Sequence, residues 1–170
     1  TIAAEVTDAD QTQAYIGKAI DAWGQLDVLF SNAGLSGTNA PITDYPEDLF
    51  DDVMAVNVKG SFLACKYAIP HMTSGGSIIV TSSVMGVTAR PNSVGYITSK
   101  HALVGMVRCV AREVAGQNIR VNILAPGPID NEFQKTIEDR ITKTTGIDGT
   151  EMLNKMIPLG RHALPDEIAK

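Results

Sequence analysis

Short apolar runs alternate with longer stretches of helical periodicity, and this alternation limits the chain to few folds. Ile2–Val6 reads as the tail of a strand. Thr7 or Asp8 can cap a helix running to about Trp23, with Ile16, Ala19, Ile20 and Trp23 on one face and Gly24 as its stop. Leu26–Phe30 is a short apolar strand, Ser77–Thr81 a second and Ile119–Leu124 a third. Between them the spacing predicts helices over about Pro46–His71 and Val94–Ala115. The result is an α/β fold, a βαβαβ parallel sheet with helices on both faces. Ligands of such sheets bind at the carboxyl ends of the strands. Here those ends are Asn32–Gly34, Ser82–Ser83 and Pro126–Ile129. Beyond them Asp130–Gly149 is polar with little strand signal, Met152–Ile157 reads as a short helix, and Asp166–Lys170 begins another.

A chain of 170 residues suits one domain, and 44% apolar content is enough for a core. The net charge of -5 disfavours a nucleic-acid partner, which wants a basic stripe. No apolar run approaches the roughly 18 residues of a membrane span. No basic-then-apolar leader opens the chain, though it starts at Thr1, so the true N-terminus is expected to lie upstream. Cys65 and Cys109 make no disulfide framework and suit a reducing compartment, which points to a cytoplasmic protein. Both fall on long helices, where they read as buried apolar residues. His71, His101 and His162 are scattered without ligand spacing, so no metal site is expected.

Tyr96 and Lys100 stand four residues apart on one helix and share a face. An ammonium beside a phenol favours tyrosinate, and a tyrosine so tuned exchanges protons near neutral pH. Four tyrosines and eight lysines give such a pair by chance about 0.2 times, and a lone pair is more often helix surface. Ser83 lies just past a strand, where a hydroxyl can steady a developing oxyanion; of the two serines, Ser82 is expected to do the loop capping. Asn57 sits mid-helix among apolar residues and needs partners, as a structural or a functional amide. Asn32-Ala33-Gly34 offers small residues that let backbone approach a flat ligand, or a plain turn.

Ser31-Asn-Ala-Gly34, Asn57-Val-Lys-Gly60, Thr81-Ser-Ser83, Tyr96-Ile-Thr-Ser-Lys100, Ile119-Arg-Val-Asn122 and Pro126-Gly-Pro-Ile129 occur in this order. Together they resemble the short-chain dehydrogenase/reductase family, from Glu5-Val-Thr-Asp8 to Pro165-Asp-Glu167. The resemblance implies a Rossmann-like, doubly wound parallel sheet in three α/β/α layers, incomplete at both ends. It implies an NAD(P)-dependent oxidoreductase interconverting a ketone and a secondary alcohol, with NAD or NADP as cofactor. Tyr96 would be the acid/base, Lys100 its pKa-lowering partner and the holder of the nicotinamide ribose. Ser83 would orient the substrate oxygen, and Asn57 would hold a water linking Lys100 to a proton relay. Asn32, Ala33 and Gly34 would line the adenosine side, with Glu5 and Val6 at the adenine, Glu5 standing where the family has Asp. Pro126, Gly127 and Ile129 would pass beside the nicotinamide, and Asn131 takes the place of a usual Thr. Ser31 replaces the first Asn of the family's turn. Met85 would touch substrate; Arg90, Val94 and the stretch 131–161, read as a mobile substrate lid, would shape the pocket. The family pairs helices 46–71 and 94–115 between subunits, which implies a homodimer or homotetramer.

The family's glycine-rich phosphate grip is absent: no two glycines here are separated by a single residue. The chain therefore reads as a single, partial domain over residues 1–170, an internal segment of a longer reductase. On that reading residues 1–6 make no ladder with residues 26–30, with room for two strands between them, and Leu26–Phe30 is left as an apolar edge. The competing readings are a truncated, non-catalytic binding module and a sugar-nucleotide epimerase of the extended branch, which shares Tyr-x-x-x-Lys. The Asn-Ala-Gly turn and the Pro-Gly-Pro-Ile segment favour the shorter branch.

Overall fold

The computed structural model describes residues 1–169, which form two compact units meeting in sequence at Ala125 and Pro126. The first holds α1 (Ala9–Trp23), β1 (Val28–Ser31), α2 (Glu47–Met54), α3 (Gly60–Ala68), β2 (Gly76–Thr81), α4 (Val94–Glu113) and β3 (Ile119–Leu124). The strands are parallel in the order β1-β2-β3, with Leu29 opposite Ile78 and Ile78 opposite Val121. This is the expected Rossmann-like sheet.

Because the order runs in one direction, right-handed crossovers bring the connecting helices to one side of the sheet. On that side Leu29, Ile78, Val80, Ile119, Val121 and Ile123 pack with Cys65 of α3 and Leu103 and Val107 of α4. Ile78, Val80 and Leu103 are all but sealed from solvent, and truncating Leu103 to Ala should cost about 2–5 kcal/mol. α1 lies against α3 and buries Thr12 and Ile16. Of the expected α/β/α layers, the first unit thus supplies the sheet and one helix layer. On the opposite face Val28 and Phe30 are 61% and 54% exposed.

Several sequence expectations are corrected. Ile2–Val6 forms no strand, while the absence of a ladder between residues 1–6 and β1 is as expected among the described residues. Apolar character alone cannot make a strand without a partner edge. α1 starts where Asp8 accepts from the Gln11 N–H and ends at Gly24, whose φ of 81 suits a residue without a Cβ. Trp23, two turns on from Ile16 along the same face, ends up exposed at the end of the helix. The stretch read as one helix over 46–71 is interrupted: α2 passes through a π-helical turn, Ala55–Lys59, before α3, and a 3-10 turn, Ile69–His71, closes it. Cys65 is buried as expected, but Cys109 is exposed and donates to Glu113 Oε1 at 3.0 Å.

The second unit is more ordered than its composition suggests. Where a polar lid was expected, α5 (Glu132–Thr145) and α6 (Gly149–Asn154) form, followed by α7 (Pro165–Ala169). The short helix expected at Met152–Ile157 is shifted towards the N-terminus by the Asp148 cap, which accepts from the Glu151 N–H at 2.8 Å. Ile129 bridges Ala163, and Arg161 grips both carboxylate oxygens of Glu167. No helix among the described residues is long and apolar enough to cross a membrane.

Candidate active site

The site is built on the carboxyl ends of β1 and β2 and the first turns of α4. At the end of β1 the Ser31 hydroxyl donates to Ser61 Oγ at 3.0 Å, which donates in turn to the Asn57 carbonyl at 2.9 Å. A serine thus replaces the family's asparagine without leaving the strand end loose. Asn32 and Ala33 follow, exposed, and then Gly34. A Cβ on Gly34 would stand 3.3 Å from Asn57 Oδ1 and 3.6 Å from Lys100 Nζ. The glycine keeps this cradle open.

Asn57 is fully buried in the π-turn. Its Oδ1 accepts from the Leu35 N–H at 2.7 Å, and its Nδ2 donates to the Leu35 carbonyl at 3.0 Å and to Ser99 Oγ at 2.8 Å. Ser99, also fully buried, donates to the Tyr96 carbonyl at 2.7 Å. One amide therefore ties the strand-end loop to the turn of α4 that carries Tyr96. Ser99 was not singled out in the sequence; a hydroxyl on the buried face between Tyr96 and Lys100 was the available signal.

The loop capping expected of Ser82 is done by Ser83. Ser83 is the cap, accepting from the Met85 N–H at 3.1 Å at the head of a 3-10 turn, Val84–Gly86. Ser82 is buried and donates to the Lys100 carbonyl at 2.9 Å. The two side chains alternate across an extended segment, so the first faces α4. Gly86 fits against that same contact, since a Cβ there would run into Ser82 Oγ and lie 2.9 Å from the Lys100 carbonyl.

Lys100 is 4% exposed, and its Nζ donates to the Thr81 carbonyl at 2.8 Å while lying 5.6 Å from the Tyr96 ring centroid. Burial brings its pKa down to about 8. The Tyr96 phenol is raised above its ordinary value by burial, against which work a hydrogen bond with Ser83 and the charge of Arg90. The positive field on the phenol thus has a contributor, Arg90, that spacing on the helix did not reveal. Lys100 has protons beyond the one given to Thr81, Gly34 leaves room beside them, and Thr81 Oγ1 is buried with no partner among the described residues. Such a set fits a ligand that offers hydroxyl groups.

The remaining candidates have these surroundings. Val6 packs on Gly60 at the start of α3, its Cγ2 3.1 Å from where a Cβ would be. The Glu5 carboxylate serves its own turn, accepting from the Thr7 N–H at 3.1 Å and the Thr7 hydroxyl at 3.2 Å. Met85 lies in the 3-10 turn after Ser83. Pro126, Gly127, Ile129 and Asn131 belong to the second unit, where Asn131 Oδ1 caps α5 by accepting from the Gln134 N–H at 2.9 Å.

The family model described as enoyl-(acyl carrier protein) reductase matches residues 1–170. The chain is 36% identical over 167 residues to a 3-oxoacyl-[acyl-carrier-protein] reductase of Thermotoga maritima, covering 97% of this chain and 64% of that relative. It therefore spans slightly less than two-thirds of that relative's length. The crystal structure of levodione reductase superposes with a TM-score of 0.94 at 29% identity, covering 99% of this chain and 67% of the other. NAD+-bound xylitol dehydrogenase gives 0.90 at 29% identity, with 99% and 70% covered. Motif order, sheet topology and this match along the whole chain agree: the chain belongs to the short-chain dehydrogenase/reductase family.

Proposed function

We propose that the protein carrying this chain is an NAD(P)-dependent oxidoreductase that interconverts a ketone and a secondary alcohol, with Tyr96 as acid/base. The observation that carries the reading is the gathering about Tyr96, at the carboxyl end of the sheet, of Ser83 and Arg90 acting on its phenol and of Lys100 5.6 Å from its ring centroid. The nicotinamide, when bound, supplies or takes the hydride. Tyr96 donates its phenolic proton to the carbonyl oxygen in reduction and takes it back in oxidation. Ser83, held by its cap to Met85, hydrogen-bonds the same oxygen and stabilises its charge. Lys100 and Gly34, with Asn32 and Ala33 beside them, form the cofactor's bed, to which Glu5, Val6, Pro126, Gly127, Ile129 and Asn131 are assigned by resemblance. Asn57 fixes the loop of that bed, and a water near it would relay protons from Lys100.

A small-molecule ketone or alcohol is the substrate on this reading, and a second copy of the chain is the partner. Met54, Ala55, Val58, Phe62 and Met106 line an apolar groove of about 450 Å³ on the surface of α2, α3 and α4. That surface supports a homodimer or homotetramer through these helices. Two free cysteines accord with the cytoplasmic placement.

The test is Tyr96→Phe in the full-length protein, followed by nicotinamide absorbance and cofactor fluorescence. Turnover should fall at least about a thousandfold, the scale of lost acid–base catalysis, with cofactor affinity little changed. Turnover surviving in the variant would refute the role of Tyr96. Cofactor binding without turnover in the wild type would favour a binding module.

A further inference from the structure

Arg90 acts on the Tyr96 phenol through its charge, and the proton transfer proposed above leaves its hydrogen-bonding groups unused. It lies in the loop leading into α4, half-buried, where desolvation weighs against its charge. Its Nε donates to Ser93 Oγ at 3.2 Å, and the Ser93 hydroxyl, buried, donates to Asn39 Oδ1 at 3.2 Å. The Asn92 carbonyl accepts from the Ala40 N–H at 3.0 Å, which fastens the same two loops. The base of the guanidinium is thus held by neutral groups on a fixed frame.

Its far end is different. Among the described residues Nη1 and Nη2 have no hydrogen-bond partner, and no carboxylate pairs with Arg90, although the chain carries 19 acidic residues. A partly desolvated cation without a counter-ion is unfavourable by itself. The open fork of a guanidinium matches a carboxylate through two parallel hydrogen bonds. An anion so held would sit near the phenol that exchanges the proton.

We propose that Arg90 is a specificity residue that receives the carboxylate of an oxo acid, or of the matching hydroxy acid, whose reacting carbon is presented to Tyr96. This rests on the oxidoreductase reading and names its substrate class. It also assigns the electrostatics: the acids of the chain leave the guanidinium unpaired because the substrate provides the counter-charge.

The experiment compares a short oxo acid with its methyl ester in the full-length protein, as wild type, Arg90→Lys and Arg90→Met. The acid-over-ester ratio of kcat/KM should fall about 100-fold in Arg90→Met, mostly through KM, and less in Arg90→Lys, which keeps charge but not the fork. A wild-type ratio near one, or a ratio unchanged in Arg90→Met, overturns the assignment. Calorimetric binding of the oxo acid gives a readout free of turnover. It is expected in the wild type and Tyr96→Phe, and lost in Arg90→Met with circular dichroism unchanged. No binding to the wild type overturns the role of Arg90. Binding dependent on Arg90 without turnover overturns the oxidoreductase reading and leaves the anion site standing.

Discussion

Asn57 and Leu35 are joined at both ends of one carboxamide: the side-chain oxygen accepts from the Leu35 N–H at 2.7 Å and the side-chain nitrogen donates to the Leu35 carbonyl at 3.0 Å. The second hydrogen of that nitrogen reaches Ser99 at 2.8 Å. With the amide fully buried, Asn57→Ala leaves both backbone groups of Leu35 unpaired and should destabilise the chain by about 2–4 kcal/mol. Asn57→Asp keeps the acceptor but removes both donors and buries a charge, so it should do no better. Urea unfolding measures both. A loss under about 0.5 kcal/mol in either would show that the clamp is not what holds the loop.

Lys100 makes the stability of the cofactor-free chain depend on pH. Its pKa is about 8 folded, against an ordinary 10.5, so the unfolded state holds more protons between these values and stability rises with pH there. Below pH 8 the full penalty of the buried ammonium, about 3 kcal/mol, is present. Cys65 acts in the opposite sense, since burial raises its thiol from 9.0 to about 11 and stability falls as pH climbs through that range. The rise is therefore cleanest from pH 8 to 9, where it should amount to about 1 kcal/mol. Urea midpoints should increase over that interval in the wild type and stay flat in Lys100→Met. A flat wild-type profile would refute the buried ammonium.

Two glycines separate ligand space from backbone need. Gly34→Ala places a methyl 3.3 Å from Asn57 Oδ1 and 3.6 Å from Lys100 Nζ, contacts that small shifts relieve. Stability should change by less than about 1 kcal/mol, while nicotinamide dinucleotide affinity of the full-length protein falls at least about tenfold. Gly37→Ala meets the Tyr45 hydroxyl and Val53 at a φ of +64, and should cost about 2–3 kcal/mol of stability. Fluorescence titration and thermal unfolding distinguish the two. Equal affinity in Gly34→Ala and wild type would remove Gly34 from the cofactor's bed.

What could be read from the sequence was what repeats locally. Ile78 and Val80, and Ile119 and Val121, are buried on one side of the sheet; a contiguous apolar run announces the first strand, and alternation with Arg120 and Asn122 the second. The π-turn at Ala55–Lys59 was hidden because one extra residue in a helical turn leaves the apolar pattern nearly unchanged. That Ser83 and not Ser82 caps the loop depended on which one faced α4, a tertiary fact. Arg90 could be placed near the pocket, but its unpaired fork is visible only once every acid has a position. The helices of the second unit left a trace that was passed over: Asn131 and Asp148 are caps, and Gly146 ends α5 with a φ of 73. Low apolar content outweighed these stop and start signals.

The second unit is held from inside by a polar cluster, which gives a last prediction. His162 Nε2 lies 2.6 Å from Glu138 Oε1, a close contact away from the line of a hydrogen bond, and both side chains are nearly buried. Nδ1 of the same ring meets Asn154 Oδ1 at 2.7 Å, so the ring spans α5 and α6. Glu138 also accepts from the Thr150 hydroxyl at 2.6 Å and from Gln134 Nε2 at 3.1 Å. Glu138→Ala strips Thr150 and Gln134 of their acceptor, takes the carboxylate from beside His162 and should cost the unit about 3 kcal/mol. Hydrogen exchange should quicken in α5 and α6 while β1–β3 keep their protection. Replacing both partners by apolar residues, Glu138→Leu with His162→Phe, should restore much of the loss, since no polar group of the pair is then left buried alone. Unchanged exchange in Glu138→Ala would mean that Ile141 and Leu153, the buried apolar residues of these helices, hold them without the pair.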